Sequence, residues 1–289
     1  MTHLEIKNKE IYQRRRVSIK RLWLNVLSAL IGLLILALAL GPVLIMVRLA
    51  FTPKINLRDV PIDWALPLDF SSFGQVIESE ILRSILNSLL VATATTIIVL
   101  LLSALAGHVL ARYGGKRRDD FLMLVLGTRM GPAVIFAIPI YLIAVRAGLV
   151  DTPFSIIAIY VVYNLAFGIW LLHGFFLEVP KEIEEAALID GLNEWQVLIR
   201  ITIPSAISGV IATAVLVFIM TWNEFFFAFV LTQRNMGTFP TRVPSFFGAF
   251  EVEWGLMFAA NSLGMLVPVV FGILARKWLA KGFAGGLVD

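Results

Sequence analysis

The sequence predicts an all-α, polytopic membrane protein with about six transmembrane helices, on three observations. Of its 289 residues, 59% are apolar or aromatic and 15% are charged, where an ordinary soluble domain carries roughly 25% charged residues. The apolar residues fall in blocks of about 20, the length that crosses a bilayer as a helix, and the mean hydropathy is +0.87. The basic residues gather at particular block ends, as membrane topogenesis requires. Backbone in hydrocarbon must satisfy its own hydrogen bonds, so each block reads as a helix.

Taken in order, residues 1–21 form a basic segment with Lys7, Lys9, Arg14, Arg15, Arg16, Lys20 and Arg21. The first transmembrane helix is expected over 22–47. Ala37-Leu38-Ala39 imitates a signal-peptide cleavage site, but the apolar run continues past it, so a retained anchor is expected. Five further blocks, at 84–111, 121–145, 154–177, 206–231 and 255–279, form a core over 84–279, and 280–289 is a tail. Gly41-Pro42, Gly131-Pro132, Pro139 and Pro268 interrupt the blocks. They read as tolerated kinks or as hinges.

Lys and Arg set the sidedness. Besides the N-terminal segment, Arg112, Lys116, Arg117 and Arg118 follow the second block, and Arg276, Lys277 and Lys281 follow the sixth. These regions are expected in the cytoplasm, with both termini inside. The loop after the first block holds Lys54 and Arg58 against Asp59, Asp63, Asp69, Glu78 and Glu80, as an exterior loop can. Residues 178–204 break the pattern. They must also be cytoplasmic, yet hold Lys181 and Arg200 against Glu178, Glu182, Glu184, Glu185, Asp190 and Glu194.

Within that acidic loop, Pro180 suits a first helical position and Glu182, Glu184 and Glu185 complement the helix dipole. Gly191 can take the left-handed conformation of a helix end. Asn193 and Gln196 form a capping-box pattern for a second helix, with Trp195, Leu198 and Ile199 as its apolar face and Pro204 closing it. A small helical hairpin at the membrane surface is expected.

The same loop carries Glu185-Ala186-Ala187, three residues, Gly191, nine residues, then Ile201-Thr202-Ile203-Pro204. This resembles the EAA loop of ABC importer permeases, departing only at Ile203, where that family has Leu. The resemblance implies the transmembrane domain of a type I ABC importer. It also assigns Glu185, Ala186, Ala187, Asp190, Gly191, Ile201 and Pro204 to coupling with an ATPase subunit. Small Ala186 and Ala187 would let a helix lie in a partner's groove, and Glu185 would offer a carboxylate there.

Trp222-Asn223-Glu224-Phe225-Phe226-Phe227-Ala228 resembles the W-N-E-aromatic segment of maltose-type carbohydrate permeases, and the layout resembles the smaller of their two subunits. The resemblance covers about residues 20 to 289. It implies half of a translocation pathway for a sugar, oligosaccharide or polyol in a bacterial or archaeal inner membrane. The implied partners are a second, non-identical permease, two ATPase subunits and an exterior solute-binding protein. ATP and magnesium would sit in the ATPase subunits. No G-x-x-x-x-G-K-[ST] phosphate loop is present here, and Gly115-Lys116 runs on into Arg117 without the hydroxyl such a loop needs.

With no cysteine there is no disulfide framework, thiolate nucleophile or Cys-based metal site, and dispersed His3, His108 and His173 leave little for zinc. No catalytic or metal site is expected. The basic pI near 9.5 reflects topology rather than nucleic acid. Polar groups inside blocks are costly and therefore site candidates. Trp222, Asn223, Glu224 and Phe225 either line the solute pathway or pair across a helix interface. Arg129 would meet an anionic group or Glu224. Asn164, also a pathway candidate, and Asn261 read as interhelical hydrogen-bond partners. His108 and His173 read as capped or snorkelling side chains, and Arg48 and Arg146 as snorkelling ones. Two rivals stand: a permease for a non-sugar solute, and an ion-coupled carrier using Glu224, Arg129 and His108 as a relay.

Overall fold

The computed structural model describes the backbone of residues 3–58, 61–113, 115, 117–248 and 252–285; side chains are described within 23–279. The basic run from Lys7 to Arg21, Asp59, Lys116 and Lys281 therefore lie outside the described residues or side chains. The described elements are helical, with one isolated bridge between Phe247 and Val252. In chain order they are α1 (His3–Ala50), α2 (Ser71–Glu78), α3 (Glu80–Tyr113), α4 (Arg118–Gly127), α5 (Ala133–Arg146), α6 (Pro153–Leu177) and α7 (Lys181–Ile189). There follow α8 (Glu194–Val197), a π-helical turn (Leu198–Thr202), α9 (Ile203–Ser205), α10 (Ile207–Trp222), α11 (Phe226–Leu231), α12 (Phe239–Arg242) and α13 (Trp254–Gly285).

Among the described residues, four uninterrupted helices are long and apolar enough to cross a membrane: Trp23–Ala50, Glu80–Tyr113, Pro153–Leu177 and Trp254–Leu279. The third and fifth expected blocks are instead broken. The third splits into α4 and α5 around Gly131-Pro132, where Pro132 is the extended residue leading into α5. At about 1.5 Å per residue the 14 residues of α5 cannot span about 30 Å alone. The fifth splits at Asn223–Phe225 although no Gly or Pro is there. Pro42, Pro139 and Pro268 lie inside continuous helices, so of the expected breakers only Gly131-Pro132 separates two helices.

α3 lies at the centre and packs against α6, α10 and α2. Its contact with α6 is close because Gly168 faces Val99 and Ser103, where a Cβ would come within 2.4 Å of the Ser103 hydroxyl. α10 meets α13 through Phe218 and Phe271, stacked 4.0 Å apart. α1 is the exception, since none of its most apolar window is buried within the chain.

One end of the bundle is tied by backbone-directed polar contacts. Arg48, expected to snorkel, is buried and donates to the Thr52 hydroxyl and to the carbonyls of Asp63 and Leu66. It pins the loop after α1 because those carbonyls need a donor away from water. Asp151, at φ +59, accepts from the amides of Gln233, Arg234, Asn235 and Met236. Burial pushes its carboxyl up, but those four amides outweigh that and hold it below the usual range. Arg146 is exposed.

Candidate functional site

The acidic hairpin sits at the opposite end, between α6 and α10. α7 begins after extended Pro180 and ends at Asp190, and Gly191 follows at φ +93, a conformation that is costly for residues with a Cβ. The Asn193 side chain accepts from the Gln196 amide at 2.9 Å, while the Gln196 side chain accepts from the Asn193 amide at 3.0 Å. The expected capping box is therefore present. The second arm does not stop at Pro204. It runs through the π turn and α9, bends by 83° and becomes α10. Its buried face is Val197 and Leu198, so of the expected apolar face Leu198 is buried, whereas Trp195 and Ile199 are exposed.

The side chain that anchors the hairpin is Glu184. Its carboxylate takes a two-pronged contact from Arg112 of α3, with Nε at 2.6 Å and Nη2 at 2.8 Å, and accepts from the Thr202 hydroxyl at 2.6 Å. Arg112 also donates to the Val179 carbonyl at 3.0 Å. Both charged side chains are 7% exposed. Burial alone would raise the Glu184 pKa, but the Arg112 and Thr202 hydrogen bonds and the Arg112 charge hold it below the ordinary carboxylate range. Beside them, the ring of His108 is buried edge-on to Phe176, and neither ring nitrogen has a partner among the described residues. His173 is buried too. Neither histidine snorkels, which corrects one of the two readings expected for them.

The chain's outward face on this hairpin is Glu185, Ala186, Asp190, Gly191, Ile189 and Trp195, all exposed. Ala187 is buried against its own protein, so only Ala186 of the alanine pair faces outward. Ile201 is half-buried and Pro204 exposed.

The second candidate region is the break in the fifth block. Glu224 folds back so that its carboxylate accepts from the amides of Phe226 at 2.9 Å and Phe227 at 3.1 Å, and from the Tyr160 hydroxyl at 2.5 Å. It thus caps the first turn of α11, whose amides would otherwise lack acceptors. Trp222 is 3% exposed and stacks on Phe218 in the core, so it packs helices rather than facing a pathway. Asn223 and Phe225 are exposed, and the Asn223 side chain donates to Ile219 of its own helix.

Arg129 stands at the other break and does not meet Glu224. Its guanidinium lies over the rings of Tyr163 and Phe167, at 4.9 and 5.2 Å, and donates to Met220. It borders a cavity of 340 Å³ lined also by Thr128, Phe136 and Phe227. Asn164 links α6 to α10 by donating to Thr221 at 3.4 Å, as expected, whereas Asn261 donates to Met257 within its own helix.

Residues 101–285 match the family described as the binding-protein-dependent transport system inner membrane component. A probable ABC transporter permease protein of Sinorhizobium fredii is 36% identical over 71% of this chain and 74% of its own length. A trehalose/maltose transport system permease protein of Thermococcus litoralis is 30% identical over 69% of this chain and 73% of its own length. The fold resembles a chain of a bacterial ABC transporter that imports alginate, with a TM-score of 0.74, 20% identity, and coverage of 89% of this chain and 96% of that one. The chain belongs to this inner membrane component family.

As an ABC permease it is a multi-pass transport subunit and not an enzyme. In the permease Glu224, Arg129 and His108 have separate surroundings, and family membership displaces the reading of an ion-coupled carrier. Sequence reasoning missed Glu184, Arg112 and Thr202. The available signal was charge: Arg112 had been assigned to topology alone, and Glu184 to the helix dipole.

Proposed function

We propose that this permease forms half of the pathway of an ATP-driven importer for a sugar, oligosaccharide or polyol, driven through the 178–204 hairpin. One observation carries the reading: the hairpin keeps Glu185, Ala186, Ile189 and Trp195 exposed while Glu184 roots it inside the chain. A patch that is apolar, small and acidic together suits a partner groove with basic residues. The carbohydrate assignment draws on the trehalose/maltose relative and on Trp222-Asn223-Glu224. The hairpin end faces the cytoplasm together with both termini. ATP and magnesium belong to two partner ATPase subunits, and a second, non-identical permease and an exterior binding protein complete the assembly. Nucleotide-driven closure of the ATPase pair would move the hairpins and switch the pathway between inward- and outward-facing states.

The test is uptake of radiolabelled disaccharides and polyols by the assembled importer in liposomes. Glu185→Lys should abolish uptake with insertion unchanged, because Glu185 is exposed and its side chain makes no hydrogen bond or ion pair among the described residues. Gly191→Asp should do the same through the hairpin turn. A crosslinker at Ala186, not at buried Ala187, should capture the ATPase subunit. Normal uptake in both variants and no capture would refute the coupling role. Uptake confined to amino acids or phosphate would refute the carbohydrate assignment.

A further inference from the structure

α3 is not covalently part of the hairpin, yet its last turn holds both arms. Arg112 reaches the Val179 carbonyl at the exit of α6 and the Glu184 carboxylate on α7. Through Glu184 the Thr202 hydroxyl of the second arm is drawn into the same cluster. The next residue, Tyr113, donates to Glu194 at 2.6 Å on that second arm. The two-pronged geometry fixes orientation as well as distance, which a lysine in the same place would not. Further along, α3 is locked to α6 at Gly168 and Gly107.

We propose that α3 moves with the coupling hairpin as one body, and that Arg112 is the positioning residue fastening them through Val179 and Glu184. The inference rests on the hairpin being the ATPase contact, and it adds where the stroke goes next. α10 leaves the hairpin through an 83° bend, whereas Arg112 of α3 is buried and bonded to the exit of α6 and to α7. Motion of the hairpin therefore reaches the α3–α6 pair directly and reaches α10 only after a change of direction.

The absence of cysteine permits spin labels at chosen pairs in the otherwise native chain. One pair joins Glu182 on α7 to Leu101 on α3; the other joins Glu182 to Leu274 on α13; all three sites are exposed. In the importer assembled with its ATPase subunits, distances are compared without nucleotide and with ADP and vanadate trapped after ATP turnover. The Glu182–Leu101 distance should stay narrow and unchanged while Glu182–Leu274 shifts. A shift in Glu182–Leu101 overturns the proposal in a chain that keeps Arg112 and Glu184 intact.

In Arg112→Ala the Glu182–Leu101 distribution should broaden. Uptake should fall about tenfold at unchanged ATP hydrolysis, the rate equivalent of about 1.4 kcal/mol. The exchange Arg112→Glu with Glu184→Arg should recover part of it. Equal loss of uptake and of ATPase association would show that Arg112 is merely structural. Failure of the native permease to bind an ATPase at all would be read from the binding assay and would fall on the coupling reading itself.

Discussion

Glu184 and Glu224 are both carboxylates drawn away from bulk water, and the chain stabilises them in opposite ways. Glu184 has a cation, Arg112, brought from 72 residues away. Glu224 has, among the described residues, the amides of the turn that follows it and the Tyr160 hydroxyl. The first arrangement ties separate helices together at one end of the bundle. The second restarts a helix in the middle of a block, where no Gly or Pro would have broken it. A distant charge pair builds tertiary structure; a local cap builds a break.

The largest effect should come from opening the pair. Arg112→Ala or Glu184→Ala leaves one buried charge unpaired and should cost about 3–5 kcal/mol, measured by thermal unfolding in detergent. The pH dependence has a defined sign. The Glu184 pKa is lowered in the folded state, so the pair stabilises the fold above the ordinary carboxylate range. That contribution is lost as pH falls through the depressed value. Glu184→Gln should remove that part of the acid response, and an unchanged acid midpoint would break the contrast.

Glu224→Ala comes next, at about 2 kcal/mol, since it strips a cap and leaves the Tyr160 hydroxyl without its carboxylate. Hydrogen exchange at Phe226 and Phe227 should rise while the hairpin stays protected. Loss of protection at the hairpin as well would show that the two regions are not independent.

Asn193→Ala removes one half of the capping box and should cost about 1 kcal/mol, again read by thermal unfolding. Trp195→Ala should change stability by less than about 0.5 kcal/mol because the ring is exposed, yet uptake should drop. A large loss of stability there would place the ring in packing the structure does not show.

Much of the hairpin was legible. Gly191 takes its left-handed turn and Asn193 and Gln196 cap each other, because both depend on residues within three or four positions. Gly131-Pro132 was legible only as one of four candidate interruptions, and the other three lie inside continuous helices. The break at Asn223–Phe225 was not legible, because a glutamate is also a good helix-interior residue, and nothing in the spacing says that Glu224 folds back onto the amides of Phe226 and Phe227. Trp222 reads in the sequence as lining the pathway or as part of a helix interface, and a buried cluster shared with residues of α3 and α13 puts it in the core. Arg48 reads as a snorkelling side chain, but three acceptors of the following loop hold it inside.

By itself the sequence determined that this is an all-helical, membrane-embedded chain with an acidic hairpin between its fourth and fifth apolar blocks. Those properties follow from block length, turn chemistry and spacing, which are local. Tertiary structure alone showed that Glu184, adjacent to Glu185 and chemically identical, is rooted in the core. Successive residues on a helix point about 100° apart, so one meets Arg112 and Thr202 while its neighbour is left facing outward. No local rule encodes which of the two faces the core.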